Sequence, residues 1–235
     1  MHYIIFIVFQ NIRGLNNENL GIVDTSGTKW QEQRRFVLKH LKDFGFGKQS
    51  LDTYVQDEAN DLVDSLVSKS RRGVNGDVKI DGIFNFHVIN ILWRIIASKR
   101  NDPDSPMMKE FIEKLNEFFR TGPQPIQSID FIGPFRPLLE SEKNVLNLKK
   151  MFRQQIREHQ EELDEMEEPK DLMDIYLREI ERERKEKGES YSPKTSNFHI
   201  EQLVSICLDF FVAGSETTST TLTWAIMHMA LNPEV

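Results

Sequence analysis

The sequence predicts a mainly α fold, and two patterns along the chain carry that prediction. From Thr28 onward, apolar residues recur every three to four positions, the spacing of amphipathic helices. Of the 235 residues, 39% are hydrophobic, which is enough to build a core, and the 12 glycines and 9 prolines are too few for a low-complexity chain. No internal repeat and no glycine-serine linker divides the sequence. We therefore expect one continuous α-rich unit of about seven helices.

Four helices are predicted in the first half of the chain. The first starts at Thr28, which forms a capping-box pattern with Gln31, and is closed by Gly45 and Gly47. One face of this helix is predicted to carry Trp30, Gln33, Arg34, Val37, Leu38 and Leu41. The next helices are predicted at 50–69, 83–97 and 107–120, with a short extended piece at 78–80.

The second half begins with a connector that contains Pro123, Pro125, Pro134 and Pro137. Three helices are predicted after it, at about 142–166, 171–187 and 200–231. His199 stands just before the last of these helices, at the capping position, where histidine is not among the usual capping residues.

Charge and cysteine content exclude several classes of protein. Acidic residues outnumber basic ones by 37 to 30, giving a net charge of −7, whereas a nucleic-acid binder usually has a basic excess. The single cysteine, Cys207, excludes an internal disulfide framework and a multi-cysteine zinc site. The histidines show no i, i+4 pair that indicates a metal site. We expect no nucleic-acid partner.

Both ends of the chain stand apart from the helical pattern. Residues 3–9 form an apolar run that is too short for a bilayer crossing, which takes roughly 20 residues, and we expect a buried strand or packing segment there. The last residues pass a helix terminator, Pro233, just before the chain stops. This pattern predicts that the chain is part of something longer.

The last predicted helix combines a buried stretch with polar groups. Residues 203–213 are apolar around most of the helix, yet Asp209 and Glu216 lie within it, seven residues apart and on one face. The hydroxyl side chains of 215–221 are poor helix formers that can bond back to the preceding turn. The pattern is compatible with a core helix that emerges at the surface. It is equally compatible with a helix locally widened beside a flat ligand, with Glu216 and Thr217 relaying protons.

Three segments of the sequence resemble one known family. Ala213-Gly214-Ser215-Glu216-Thr217 resembles the oxygen-binding helix signature of the cytochrome P-450 haem-thiolate monooxygenases. Upstream, Trp30 and Arg34 fit the Trp-x-x-x-Arg motif of the family's third helix, and 171–177 is similar to the Asp-x-x-Asp-x-Tyr/Phe-Leu segment before the oxygen helix. Residues 21–235 thus resemble a partial domain of the microsomal animal type, close to family 2, whereas 1–20 match poorly.

The resemblance implies a haem cofactor (iron protoporphyrin IX) and assigns residues to it. Trp30 and Arg34, four residues apart on one helix face, are expected to meet the haem propionates. Ala213 and Gly214 are expected against the haem face, where small side chains leave room for dioxygen.

The resemblance also implies catalytic and pocket residues. Thr217 is expected to hold a water or the reacting oxygen by hydrogen bonding, and Glu216 to serve the proton relay. The residues expected to line the substrate pocket are Asp209, Phe210, Val212 and Phe118.

The iron ligand is where the sequence departs from the family. The family's cysteine comes from a later Phe-x-x-Gly-x-Arg-x-Cys loop, and no such pattern occurs here. Cys207 lies ten residues before Thr217, so we expect a buried core residue and no metal ligand in this chain. The expected fold is therefore the central helical portion of the cytochrome P-450 fold, without its β-rich region and haem-thiolate loop, and the chain alone is expected to be inactive.

The function implied by the resemblance is oxidation of a small lipophilic substrate with dioxygen. Electrons are expected from an NADPH-dependent flavoprotein reductase that docks near Lys39 and Lys42, although a solvated helix face explains those lysines equally well. The family also implies the endoplasmic reticulum membrane, reached through an anchor that these residues do not contain. The alternative is a non-catalytic truncated helical protein that binds a partner or a membrane surface.

Overall fold

A computed structural model gives the fold of residues 20–23, 25–47, 49–73, 76–80, 82–120, 135–163 and 168–234. These residues form seven α-helices and a short 3₁₀ turn, and none of them lies in a strand. The helices are α1 (Gly27–Asp43), α2 (Gln49–Arg72), α3 (Ile83–Ala97), α4 (Pro106–Arg120), α5 (Phe135–Glu162), α6 (Leu172–Lys187) and α7 (Ile200–Leu231). The mainly α prediction is confirmed.

The helix starts differ in how they are capped. α1 begins at Gly27 after Ser26, and no side chain caps it, so the predicted capping box at Thr28 is wrong. α6 is capped by Asp171, whose Oδ1 accepts the backbone N–H of Asp174 at 2.9 Å. At the start of α7, Nδ1 of His199 accepts the backbone N–H of Gln202 at 3.3 Å, which gives this histidine a capping role.

α5 begins at Phe135, about seven residues before its predicted start. Pro137 therefore lies in the first turn of a helix rather than in a connector, where its missing N–H costs nothing because first-turn N–H groups have no partner within the helix. α5 ends at Glu162. The predicted strand or packing segment at 3–9, the connector prolines before Phe135, and the predicted helix end at 164–166 lie outside the described residues.

The centre of the fold is the packing of α3 against α7, with α4, α5 and α6 around this pair. Four helices each contribute one aromatic ring to a single cluster, the aromatic core, whose members are Trp93 from α3, Phe111 from α4, Phe152 from α5 and Phe211 from α7. All four rings contact one another, with centroids 4.8 to 5.7 Å apart. Rings at these distances prefer the tilted and edge-to-face geometries seen here.

α1 joins the fold through one row of side chains. Of the residues predicted to share one face of α1, Gln33, Val37 and Leu41 are buried. Arg34 and Leu38 are exposed, so only part of that face packs against the protein. Gln33 lies fully inside, where its Nε2 donates to the carbonyl of Asn197 at 2.7 Å and its Oε1 accepts from the Tyr176 hydroxyl at 2.8 Å. Both ends of this buried amide are thus satisfied.

A buried carboxylate joins α2 to α3. Glu58 on α2 is 1% exposed, and its Oε2 lies 2.9 Å from Nδ1 of His87. Its Oε1 accepts from Nδ2 of Asn90 at 3.1 Å and from Nε of Arg100 at 2.8 Å. Removing any one donor would leave a buried charge less well paired, which is why such networks fix the relative position of helices.

α7 changes character along its 32 residues. Residues 202–209 and 211 are buried, as the apolar pattern predicted. In contrast, Leu222, Trp224 and Met229 are 39 to 57% exposed. Among the described residues, no helix has both the length and the apolar character that a membrane crossing requires.

The backbone of residues 21–23, which we call the N-terminal strap, is bound to α7 by two side chains. Gln202 forms a pair of hydrogen bonds with Gly21, at 3.1 Å from the Gly21 N–H and 3.0 Å to its carbonyl. Oδ2 of Asp209 accepts the N–H groups of Ile22 at 2.6 Å and Val23 at 3.0 Å. The strap therefore compensates the burial of a carboxylate that is 2% exposed.

Replacing Trp93 by alanine should be strongly destabilising, because it opens a cavity among three other rings. We expect a loss of about 3–5 kcal/mol in the free energy of unfolding, measured by urea denaturation. The matched control is Trp224→Ala, since this ring is 56% exposed and its loss should cost at most about 0.5 kcal/mol. Equal losses for the two variants would contradict the aromatic core.

Gly21→Ala should detach the strap from α7. An added Cβ would collide with Oδ2 of Asp209, on a backbone whose φ is +90°. Gly27→Ala is a matched control, because its φ of +77° imposes a similar backbone strain while no atom lies within 4 Å of the added Cβ. We expect Gly21→Ala to cost roughly 1–3 kcal/mol more than Gly27→Ala in thermal or urea unfolding. Equal costs would rule out the collision.

Candidate functional site

The residues predicted to meet the haem or to relay protons lie on two helices, α1 and α7. Trp30 and Arg34 are on α1, and residues 213–217 are on α7 just after its buried half. The strap bridges the two groups: it is held by α7, and its Ile22 carbonyl accepts the Nε1–H of Trp30 at 3.0 Å. Ile22 therefore links the Trp30 indole to α7, because its N–H binds Asp209 and its carbonyl binds Trp30.

Arg34 stacks on Trp30. The carbon at the centre of the Arg34 guanidinium lies 5.5 Å from the centroid of the Trp30 ring, within range of a cation–π contact. Arg34 is exposed and Trp30 is half-buried. The i, i+4 pair thus presents a cation at the surface, with the indole N–H engaged by the strap.

Ala213 and Gly214 lie on different sides of α7. Ala213 is exposed. A Cβ on Gly214 would lie 3.3 Å from Cδ1 of Leu92, so the absence of a side chain there lets α7 approach α3 closely. The helix remains regular through this region, and the predicted local widening is not seen.

The hydroxyl groups of this region bond back to the helix. Thr217 donates to the carbonyl of Ala213 at 2.7 Å, and Thr221 donates in the same way to the carbonyl of Thr217 at 2.7 Å. Glu216 is half-buried rather than buried, and its Oε1 accepts from the hydroxyl of Thr220 at 3.2 Å. Thr217 is exposed, so its oxygen can still accept a hydrogen bond from a molecule lying on this face.

Phe210, Ala213 and Thr217 are spaced three and four residues apart, so they share one side of α7, which forms an open face at Ala213 and Thr217. Phe210 is half-buried against the core, and the other two residues are exposed. Among the other residues predicted for a substrate pocket, Val212 is half-buried beside the core, whereas Phe118 on α4 is 5% exposed and contacts the ring of Phe119 at 5.3 Å. Asp209 is buried with its Oδ2 on the strap.

The fit of a haem to these residues can be judged from their burial and chemistry. The open face at Ala213 and Thr217 suits one side of a flat ligand, because its side chains are small and exposed. Cys207 does not suit the iron, because it is completely buried and burial raises the pKa of its thiol, an effect that Asp171 and Asp209 reinforce. The described residues therefore fit one face of the group but supply no thiolate for it.

The exposed surface of α1 is basic. Lys39 and Lys42 are exposed. A shallow groove beside them is lined by both basic and acidic side chains: Arg35, Lys39, His40, Glu32 and Glu179. Burial lowers the pKa of His40, so this side chain contributes less positive charge near neutral pH than the two lysines.

Two groups of functional interest were missed at the sequence level. Gln202 precedes Asp209 by seven residues, the same spacing that separates Asp209 from Glu216, so a polar stripe through the apolar run could have revealed it. The second group is His159 with Asp171 and Asp174, which are buried together although they come from two helices. No local spacing connects His159 with the other two.

Comparison with known proteins identifies the family of the chain. The family model for cytochrome P450 matches residues 8–235, which is nearly the whole chain. The chain is 32% identical to "Probable cytochrome P450 303a1" of Drosophila melanogaster, over 97% of this chain and 45% of that protein.

Mammalian proteins are similar to the chain at the same level. Rat "Cytochrome P450 2C55" is 34% identical over 93% of this chain and 44% of its own length, and human "Cytochrome P450 2J2" is 32% identical over 92% and 42%. The chain thus spans less than half the length of these curated relatives. The match of the family model over residues 8–235, together with these relatives, shows that the chain belongs to the cytochrome P450 family.

Proposed function

We propose that this chain contributes the oxygen-side face of the haem site in a monooxygenase that oxidises a small lipophilic substrate with dioxygen. The observation that carries the proposal is the open face of α7, where Ala213 and Thr217 are exposed directly after a stretch that is buried on nearly every side. Membership of the family supports haem and iron as its cofactor chemistry.

The haem-facing residues of α1 and α7 have different roles. When bound, haem supplies the redox-active iron at which dioxygen is activated. Arg34 meets its propionates, since the guanidinium is exposed and can pair with a carboxylate. Trp30, whose N–H is donated to the Ile22 carbonyl, positions that guanidinium through the cation–π contact. Ala213 keeps the face open, and Gly214 sets the depth of α7 by its close approach to Leu92.

Thr217 and Glu216 hold and move protons on this face. The Thr217 hydroxyl is anchored to the Ala213 carbonyl, so its oxygen has a fixed position from which to accept a hydrogen bond from a water. Glu216 is half-buried and held by Thr220, one turn further along the helix, and exchanges protons with solvent. The apolar surroundings of the substrate are formed by Phe210, Val212 and Phe118. Asp209, next to Phe210 on α7, holds the strap in place beside them.

Two further elements complete the proposal. Electrons come from an NADPH-dependent flavoprotein reductase that docks on the basic surface near Lys39 and Lys42, and the enzyme works at the endoplasmic reticulum membrane. The exposure of both lysines and the microsomal type of the relatives support this part. The iron ligand is not Cys207, because its thiol is buried and remains protonated, and the 235 residues alone do not turn over substrate.

A competing function is that of a non-catalytic helical protein that binds a partner. The exposed apolar side chains at the end of α7, such as Trp224 and Met229, favour it. The two functions differ in whether the Ala213 face binds haem.

Titrating the chain with haem tests the proposed face. We expect a shifted Soret band, and at least a roughly tenfold loss of affinity in Ala213→Leu, because the larger side chain covers the face. Ala225→Leu is the matched control, since Ala225 is also exposed on α7 and its replacement should leave affinity unchanged. Equal affinities for the three proteins would contradict the haem face and favour the partner-binding function.

The same titration tests the role assigned to Cys207. After reduction and addition of carbon monoxide, we expect no thiolate-type Soret band from this chain. A thiolate-type band that disappears in Cys207→Ser would show that Cys207 is the ligand and overturn this part of the proposal.

Thr217→Ala should uncouple electron use from product formation. The experiment uses a haem-loaded protein in which these residues are combined with the cysteine loop of the family, because the 235 residues alone are expected to be inactive. Without the hydroxyl, we expect NADPH consumption to continue while hydrogen peroxide replaces a large part of the oxidised product. Thr221→Ala removes the same type of back-bonded hydroxyl one turn further along, so its coupling should stay at the wild-type level. If the two variants form the same amount of product per NADPH consumed, Thr217 has no role in the proton relay.

A further inference from the structure

A buried cluster of ionisable side chains lies at the junction of α5 and α6, away from the residues discussed above. Nε2 of His159, near the end of α5, lies 2.9 Å from Oδ1 of Asp174 and 3.2 Å from Oδ2 of Asp171. The three residues are 8%, 7% and 1% exposed respectively. One nitrogen and two carboxylate oxygens therefore converge inside the protein.

The spacing of these three atoms matches that of ligands around one metal ion. All three lie within 4.8 Å of one another. A tetrahedral ion with metal–ligand distances of about 2.0–2.2 Å sets adjacent ligands roughly 3.3–3.6 Å apart. The two separations from Nε2, 2.9 and 3.2 Å, are slightly shorter, so small side-chain shifts would seat the ion. An imidazole with two carboxylates is a ligand set that zinc and manganese accept.

The hydrogen bonds inside the cluster leave two buried atoms, Nδ1 of His159 and Oδ2 of Asp171, without a hydrogen-bond partner among the described residues. Oδ1 of Asp171 accepts the Asp174 N–H, and Oδ2 of Asp174 accepts the Lys170 N–H at 3.0 Å. Oδ2 of Asp171 is buried beside Nε2 and, within the described part of the chain, has no hydrogen-bond partner. The backbone thus orients both carboxylates while the oxygens nearest to His159 remain available for a cation.

The charge of the cluster also favours a dication. With His159 protonated, the three side chains carry a net charge of −1, and a dication bound to neutral His159 reduces this to zero. The ammonium of Lys99, a neighbouring positive charge, is directed towards Gln155 at 2.9 Å and Glu158 at 3.2 Å. Arg178 and Lys170 add positive charge beside the cluster, and each takes part in further interactions.

A cavity leads to the cluster. Its volume is about 210 Å³, and His159, Asp171 and Asp174 all form part of its wall. Two further acidic residues, Glu162 and Glu168, and three basic ones, Lys99, Lys170 and Arg178, line the same cavity. The space admits several waters, which can complete the coordination of an ion held by three protein ligands.

We propose that His159, Asp171 and Asp174 bind a divalent transition-metal ion of the zinc type, and that the ion fastens the end of α5 to the start of α6. The ion takes the place of the proton on Nε2, so binding releases a proton. Affinity therefore rises with pH, as the competing proton is lost.

The first experiment is isothermal titration of zinc chloride into the 235-residue chain. We expect one saturable site, with an affinity at least roughly tenfold higher at about pH 7.5 than at about pH 5.5. Titration in two buffers of different ionisation enthalpy reports the proton released by the wild-type chain and needs no variant. Absence of a saturable site, or binding without proton release near pH 5.5, would overturn the proposal.

Three variants locate the site. Asp171→Asn keeps the oxygen that caps α6 and removes the charge, Asp174→Asn removes the second carboxylate, and His159→Gln removes the nitrogen ligand. We expect each to weaken zinc binding at least roughly tenfold. His228→Gln is the matched control, because this exposed histidine on α7 lies outside the cluster, and its replacement should leave zinc affinity unchanged.

Zinc binding that stays within twofold of wild type in the three cluster variants would place the ion at surface side chains and contradict the site. Circular dichroism of each variant without zinc shows whether the helices are retained. If His159→Gln unfolds, Asp171→Asn and the proton release of the wild-type chain still decide the outcome.

Discussion

The arrangement of the site depends on the contact between α7 and the backbone of residues 21–23. Asp209 is buried in an apolar helix, and a carboxylate there requires donors, which the N–H groups of Ile22 and Val23 supply. The peptide held in this way then offers its carbonyl to Trp30. The need to satisfy one buried charge thus fixes where α1 begins relative to α7, and the stacked Arg34 follows the position of Trp30.

α7 meets two opposing requirements with small residues. It must approach α3 closely, which Gly214 allows by leaving room for Leu92, and it must keep another side open, where Ala213 is exposed. The hydroxyls of this region bond to carbonyls four residues back, so the helix stays intact despite residues that favour it weakly. Residues 213–217 therefore pack against α3 on the side of Gly214 and are open to solvent on the side of Ala213.

Patterns within a helix were predicted well, and contacts across the chain were not. The limits of α3 and α7 agree with the sequence prediction because apolar periodicity and breakers define them locally. The start of α5 was missed because a proline is tolerated in a first turn. The partner of Asp209 lies 187 residues away at Ile22, and no property of either segment alone specifies that pairing.

Asp171 shows how one buried charge can have opposite effects on two neighbours. Burial raises the pKa of the Cys207 thiol, and the negative charge of Asp171 raises it further, so the sulfur stays protonated and binds metals poorly. The same charge raises the pKa of His159 and favours its cationic form. A carboxylate in this position therefore disfavours an anionic ligand and attracts a cation. The charge of Asp171 thus attracts a cation at the junction of α5 and α6, and it adds to the effect of burial that keeps Cys207 inert.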